Sequence, residues 1–500
     1  MLVNEQYIVR NNTGVWLKYI VLIGYGVLFL LLTATLFAQI NLGLADNGDF
    51  TRAMAVFTSR PLHIEPNWPN RQTQEELWNR RFFNFYIPDW KLDFPEPFSL
   101  SRPFKSSAYL LWVLGVVLNQ IAYSGSILNL GVMSIPSRLV LLLVVGLVFG
   151  YILQTTKPLE ALILLFSCGL PMVFLLLSPY SFYLNSFYYE SAALVFSIWF
   201  LFSIVLIRHL KINVSIKILI AFVLSFLVGT TKASQFWWPV VCGFSLLFIL
   251  KRMGIQKKIV IIMCAILLTI IAHLVTLPDN YTSMINAYNR IFFGFLTLSS
   301  DPKAHLDRME LSDLVSCIGV MPYTLKGNQC FAITSSKLSL YITLDILARE
   351  PVILLRGLVS ATESMQIISL DYLGILAESD PRTPFTGSHY YPWQSQVWLA
   401  LKSLLPKGIM LLVTLFIGVL ICAFALAQFR DIRADFGIVG TTAGVATVID
   451  IIVEFLGDGF YEIIKHLLVA NLMFDIMVIC ATSIALLSLI TWISVKIMPY

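Results

Sequence analysis

The sequence predicts an all-α polytopic membrane protein of about ten transmembrane helices. One further apolar segment is re-entrant or interfacial, and the extracytoplasmic loops form a small mixed domain. Three observations carry this reading. Of the 500 residues, 58% are hydrophobic and only 13% charged, where a soluble chain carries about a quarter charged residues because its surface faces water. The mean hydropathy is +0.79. The apolar residues also fall in blocks, most of them near the roughly 20 residues that a helix needs to cross hydrocarbon.

The N-terminal stretch Met1–Lys18 is polar and basic. The apolar run after it is too long for a signal-peptide core and lacks a small-residue cleavage site, so no cleavable signal is expected. The spans are Trp16–Ile40, Arg138–Gln154, Leu159–Ser178, Ser191–Ile207, Ile218–Gly229, Phe236–Leu250, Ile259–Leu277, Gly408–Gln428, Gly437–Leu456 and Leu467–Val495. With this count Lys157, Arg208, Lys211, Lys217, Lys251, Arg252, Lys257, Lys258, Arg430, Arg433 and Lys496 share one side with Arg10 and Lys18. Basic residues collect in cytoplasmic loops, so that side reads as cytoplasmic, and both termini with it. The net charge of +5 is therefore a topology signal, and nucleic-acid binding is not expected. Counting Ser107–Ile121 as a full span would put the later basic loops outside. Ser107–Ser137 is accordingly read as re-entrant or interfacial, backbone that is allowed only where protein buries it.

Three regions result: an N-terminal transmembrane module (1–277) with a long first outer loop (41–106), a large extracytoplasmic loop domain (278–407), and a C-terminal transmembrane module (408–500). A loop as long as 278–407 is expected to carry structure of its own, with helices such as Leu338–Arg349 and Val352–Met365. Cys168, Cys242, Cys264, Cys422 and Cys480 sit in apolar blocks and behave as small hydrophobes. Cys317 and Cys330 share one outer loop, an oxidising location that makes them a structural disulfide candidate. No metal-ligand spacing, internal repeat or nucleotide-binding glycine motif occurs.

Chemistry-bearing residues gather in the outer loops. In Asp46-Asn47-Gly48-Asp49-Phe50-Thr51-Arg52 the first three residues signal a turn, and Asp46 or Asp49 can cap the helix that follows. Two carboxylates and an arginine also stand where the first span emerges, and a partly desolvated carboxylate there can take a proton from a hydroxyl. The second outer loop holds Asn185 and Tyr188, candidates for binding the substrate or its phosphate, and Glu190, an acid at membrane depth, where charge is costly and usually paired or functional. In Gly457–His466, Glu462 and His466 are spaced to share one helix face, and Lys465 and His466 could bind phosphate. Arg52, Arg138 and Lys232 are the basic groups nearest the predicted outer membrane edge, and an arginine fork matches phosphate. Arg60, Arg71, Arg80, Arg81, Arg102, Lys105 and Arg290 lie farther along the outer loops. Asp450 and Glu454 inside a span are expected to face the bundle interior or a cavity.

The acidic turn after the first span, the Ser134-Ile135-Pro136-Ser137-Arg138-Leu139 stretch and the second outer acid two spans later resemble the layout of the GT-C superfamily. These are multi-span glycosyltransferases that use polyprenyl-phosphate-linked sugars, including the aminoarabinose and protein mannosyltransferases. Their first outer loop carries an Asp-Glu-type pair followed by Arg-Tyr. Here Asn47 interrupts the pair, and Lys105–Leu110 lacks the prolines usual at the matching place. The resemblance covers roughly the first 210 residues. It implies an inverting transferase with Asp46 or Asp49 as base, Glu190 as the second-loop acid, and no cofactor, a divalent metal being left open. The implied partners are a lipid-linked sugar donor, a glycan or lipid-linked acceptor and membrane lipids, at a bacterial inner membrane. Two other classes fit the composition. A transporter or flippase would use Asp450, Glu454 and Asp475, and a scaffold subunit would use none of the outer acids.

Overall fold

The computed structural model describes residues 2–61, 85–94, 105–250, 254–334, 337–368, 373–386 and 389–497. Arg71, Arg80, Arg81, Arg102, Lys251 and Arg252 lie outside the described residues, as does the side chain of Arg60.

The chain is an integral membrane protein, and its described residues are mostly helical. Among the described residues, eight helices are long and apolar enough to cross a bilayer, and three apolar helices are shorter. The helices that shape the bundle are α1 (Leu2–Ala38), α2 (Asp49–Met54), α3 (Ala108–Ala122), α4 (Ile135–Thr155), α5 (Pro158–Leu176), α6 (Tyr189–His209), α7 (Val214–Gly229), α8 (Trp238–Ile249), α9 (Ile255–Thr276), α10 (Ile409–Gln428), α11 (Ile432–Asp458) and α12 (Leu468–Ile497). Apolar blocks of this length fold as helices because each backbone N–H and C=O then pairs within its own segment. In α5 a wide turn at Leu165–Gly169 absorbs the ladder bond that Pro171 cannot donate.

The segment Ser107–Ser137 returns to the end of the bundle from which it starts. Ser107 N donates to Thr230 O (3.0 Å) just past α7. Beyond α3 the chain enters β3 (Ile127–Asn129), the edge of a small antiparallel sheet with β1 (Thr58–Pro61) and β2 (Asp89–Leu92) in the order β1-β2-β3. Trp90 stands opposite Leu128. Then α4 begins beside the end of α1, where Arg138 Nη1 donates to Leu36 O (2.5 Å). The opposite end is held by Asp435, which accepts from Arg208 Nη1 (2.7 Å) and lies 3.0 Å from His209 Nε2.

Close packing of α10, α11 and α12 depends on glycine. A Cβ at Gly440 would stand 2.3 Å from Cys422 Sγ, and one at Gly437 would stand 2.7 Å from Cys422 O. With Gly444, Gly440 makes a small-residue ridge that lets the helix backbones approach. Gly440→Leu is expected to cost at least the roughly 1–3 kcal/mol of an overpacked core, read as a lower thermal midpoint of the purified protein in detergent.

Residues 278–407 do carry structure. Helices Asn280–Tyr288, Pro302–Arg308, Leu325–Thr334, Leu340–Arg349, Val352–Ser364 and Trp393–Ser403 lie here. Tyr288, Phe292, Phe295, Phe331, Ile346 and Ile353 form a second core, closed by Phe455 from α11. Cys317 and Cys330 are joined in a disulfide, with 5.9 Å between their Cα atoms. The segment also reaches the first loop, where Gly43 N donates to Ile375 O (3.3 Å) and Ala45 N to Gly374 O (2.8 Å).

Candidate functional site

Three loops and the turn after α7 meet at the end of the bundle that carries α3 and the sheet. The first loop leaves α1 in extended conformation, held by the backbone pairs to Gly374 and Ile375, and then turns. Asp46 Oδ1 accepts from Gly48 N (2.6 Å) and Asn47 Oδ1 from Asp49 N (3.1 Å). Gly48 takes φ +97°, which a side chain would resist. The Asp46-Asn47-Gly48 turn thus forms as its residue types dictate. Asp49 is left in the first turn of α2, its side chain about a third open at 36%, whereas Asp46 is buried.

The second loop supplies Tyr188, whose hydroxyl donates to Ala45 O (2.9 Å) and accepts from Asn47 N (3.0 Å). Glu190 follows in the first turn of α6. The third comes from the end of α11, where Gly459 at φ +64° and Glu462 at φ +45° turn the chain back toward α12. A left-handed glutamate costs of order 1 kcal/mol or more. Here it swings the Glu462 carboxylate onto Asn47 Nδ2, at 2.8 and 3.0 Å.

Two lysines bind these loops together. Lys465, with its side chain 2% exposed, pairs with both Asp49 and Glu462, while Asp49 also pairs with Arg52. Lys232 Nζ lies 3.0 Å from Glu190 Oε1 and 3.2 Å from Glu454 Oε1, and it donates to His466 Nδ1 at 2.8 Å. Because an ammonium can only donate, Nδ1 is the acceptor and the ring proton of neutral His466 is on Nε2. That nitrogen faces Asp458 Oδ2 at 3.5 Å. Asp458 in turn accepts from Asn289 Nδ2 (2.8 Å), and Asp450 from Gln235 Nε2 (2.6 Å). Burial alone would raise Asp49, but Lys465 and Arg52 hold its carboxyl below the usual range. Burial would likewise lower Lys465 and Lys232, yet Asp49 and Glu462 raise the first, and Glu190 and Glu454 the second. Both lysines stay charged.

Burial, reinforced by Lys232 and Lys465, pushes His466 well below the ordinary imidazole value. A histidine kept neutral in the fold binds its proton more readily when unfolded. Below about 6.5 the unfolded chain therefore holds more protons, and stability rises with pH through that window. His466→Gln is expected to flatten this slope between about pH 5 and 6.5, read as the thermal midpoint against pH.

The geometry brings Asp46, Asp49, Arg52, Tyr188, Glu190, Lys232, Lys465 and His466 into one network. It places two predicted phosphate ligands elsewhere. Arg138 is fully buried and donates to Ser134 Oγ (3.0 Å), Leu36 O (2.5 Å) and Asn185 Oδ1 (2.8 Å). Asn185 Nδ2 donates to Ile40 O and Leu42 O, both at 2.6 Å. The pair is a clamp that fixes the exit of α1, with its donors committed to protein oxygens. Glu462 and His466 do not share a helix face either, because the left-handed residue sends their side chains to different partners. Glu454 and Asp458 belong to the network, a role their i, i+4 spacing with Asp450 on one face of α11 could have shown. Among the described residues, no group of three or more His, Cys, Asp or Glu side chains could hold a metal ion.

The family model of the YfdI N-terminal transmembrane domain matches residues 6–494. The chain belongs to this family. The match runs through all three site loops and both membrane modules, so the converging acids and lysines lie within one YfdI-type domain. No curated protein and no solved structure matches the chain.

Proposed function

We propose that this YfdI-family chain is a GT-C-like glycosyltransferase. It moves a sugar from a polyprenyl-phosphate donor to a glycan or lipid-linked acceptor on the extracytoplasmic face. The observation that carries the reading is the convergence of Asp49 and Glu190 on one lysine-bridged site: Asp49 through Lys465, Glu190 through Lys232, with the two lysines adjacent to the same His466. The basic loops at the far end of the bundle support an outward-facing site.

In this reading Asp46 is the turn former and Asp49 the base. The acceptor hydroxyl attacks the anomeric carbon and gives its proton to the Asp49 carboxylate. The bond from that carbon to the phosphate oxygen breaks, and the electron pair leaves with the lipid phosphate. Arg52 and Lys465 stabilise the departing anion. A phosphate that shares these two cations also loosens their hold on Asp49, which makes the carboxylate more basic when substrate is bound. Glu190 and Glu454 keep Lys232 charged and in place at the back of the site.

The test is mass spectrometry of cell-surface glycans from cells with and without the gene. A gain of one hexose or pentose per repeat is the expected result, and identical glycans in both cells would remove the reading. Buried Asp450 and Glu454 in α11 favour a second reading, a transporter of a lipid-linked or small polar substrate. It predicts loss of function in Glu454→Gln with none in Asp49→Asn.

A further inference from the structure

The helix Trp393–Ser403 divides its surface cleanly. Gln394, Ser395, Trp398 and Lys402 are buried against the bundle. Trp393, Val397, Leu401 and Leu404 are open, at 57%, 37%, 51% and 80%. The spacing of four, four and three places these apolar side chains on one stripe.

The height of this helix against the bundle is fixed by contacts to membrane spans. Trp393 meets the Phe174 ring, in the last turn of α5, edge-on at 6.0 Å between centroids. Ser395 Oγ donates to Leu177 O (2.9 Å) just past the same span. Lys402 Nζ contacts both oxygens of Asp475 at 2.9 Å, and Tyr180 OH donates to Asp475 at 3.0 Å. Asp475 follows Leu468, the first residue of α12, by seven positions, which is about 10 Å down the helix axis. A charged lysine reaching that depth is stabilised by its carboxylate partner, and the helix that carries it is held level with the outer turns of the spans. Five residues past Leu404 the chain enters α10, whose open residues Ile409, Val413 and Ile417 continue the apolar surface onto a span.

We propose that Trp393–Ser403 is an interfacial helix lying in the membrane plane. Its Trp393, Val397, Leu401 and Leu404 stripe is sunk into the hydrocarbon edge of the leaflet next to the site, and the Lys402–Asp475 pair is the pin that holds it there. The occupant of this face is lipid, because the face is continuous with the lipid-facing side of α10 and level with Phe174 and Asp475. A tryptophan at one end of such a stripe suits the headgroup boundary. The inference does not depend on what reaction the site performs.

The test uses the full chain carrying Cys264→Ser, since the other free cysteines, Cys168, Cys242, Cys422 and Cys480, are buried. Nitroxide labels are placed singly at Val397→Cys and Leu401→Cys, with Val413→Cys as the lipid control and Lys326→Cys, on an exposed residue, as the water control. In phosphatidylglycerol–phosphatidylcholine vesicles, labels 397 and 401 are expected to collide with oxygen in preference to a water-soluble nickel complex, as label 413 does. Preference for the nickel complex, as at 326, would overturn the proposal. So would shielding from both reagents, which would mean that protein covers the face.

Discussion

Asp49→Asn leaves the folded protein in the membrane at normal yield and cuts sugar transfer by about 10²–10⁴, the worth of a positioned general base. Asparagine keeps the shape of the side chain and an acceptor oxygen for Lys465 and Arg52, so the loops stay in place. The negative charge and the proton site are lost. The side chain is already 36% open, which limits the effect on stability. Asp46→Asn makes the contrast. Asparagine forms the same turn by accepting from Gly48 N, so transfer is expected to stay within a few-fold of the parent. Product quantified per milligram of membrane protein decides the matter. Equal losses in the two variants would leave the base unassigned to Asp49, and unchanged product in Asp49→Asn and Glu190→Gln alike would end the enzyme reading.

Lys465→Met is expected to destabilise the fold by about 3 kcal/mol, the low end of what breaking a buried ion pair costs. Methionine fills much of the same volume, so packing is nearly kept and the change isolates the charge. The ammonium, with its side chain 2% exposed, faces Glu462 at 11% and Asp49 at 36%. Without it, two carboxylates lose the ammonium they share, and Arg52 remains paired with Asp49. Adding Glu462→Gln removes one of those charges, so the double variant is expected to be more stable than Lys465→Met alone. That is the non-additivity of residues in one network. Thermal unfolding in detergent of the four proteins completes the cycle. A Lys465→Met protein that melts with the parent, or a double variant no better than the single, would show that the lysine does not hold the loops.

Much of the membrane architecture was legible in the sequence. Each of the ten predicted spans has its helix, and the charge parity that required Ser107–Ser137 to turn back agrees with α3 and β3, which return to one end of the bundle. The Asp46-Asn47-Gly48 turn was legible for a similar reason, since an aspartate, an asparagine and a glycine make that turn from their own side chains. The roles of Arg138 and Asn185 were not. Both looked like edge-of-membrane ligands, and only the approach of α1 and α4 shows Arg138 bonded to Ser134, Leu36 O and Asn185, with the Asn185 amide turned to Ile40 O and Leu42 O. Glu462 misled in the opposite way, because helical spacing with His466 assumes helical backbone and φ +45° breaks it.

By itself the sequence determined that this chain spans the membrane, where its helices lie and which loops carry acid. In hydrocarbon a segment must satisfy its own backbone, and that condition is met or failed locally, residue by residue. Only the tertiary structure decided which acid meets which base. Asn47 and Glu462 are 415 positions apart, and Glu190, Lys232 and Glu454 come from three different parts of the chain. Their pairing depends on how the packed helices set the heights of the loops, and no local pattern encodes those heights.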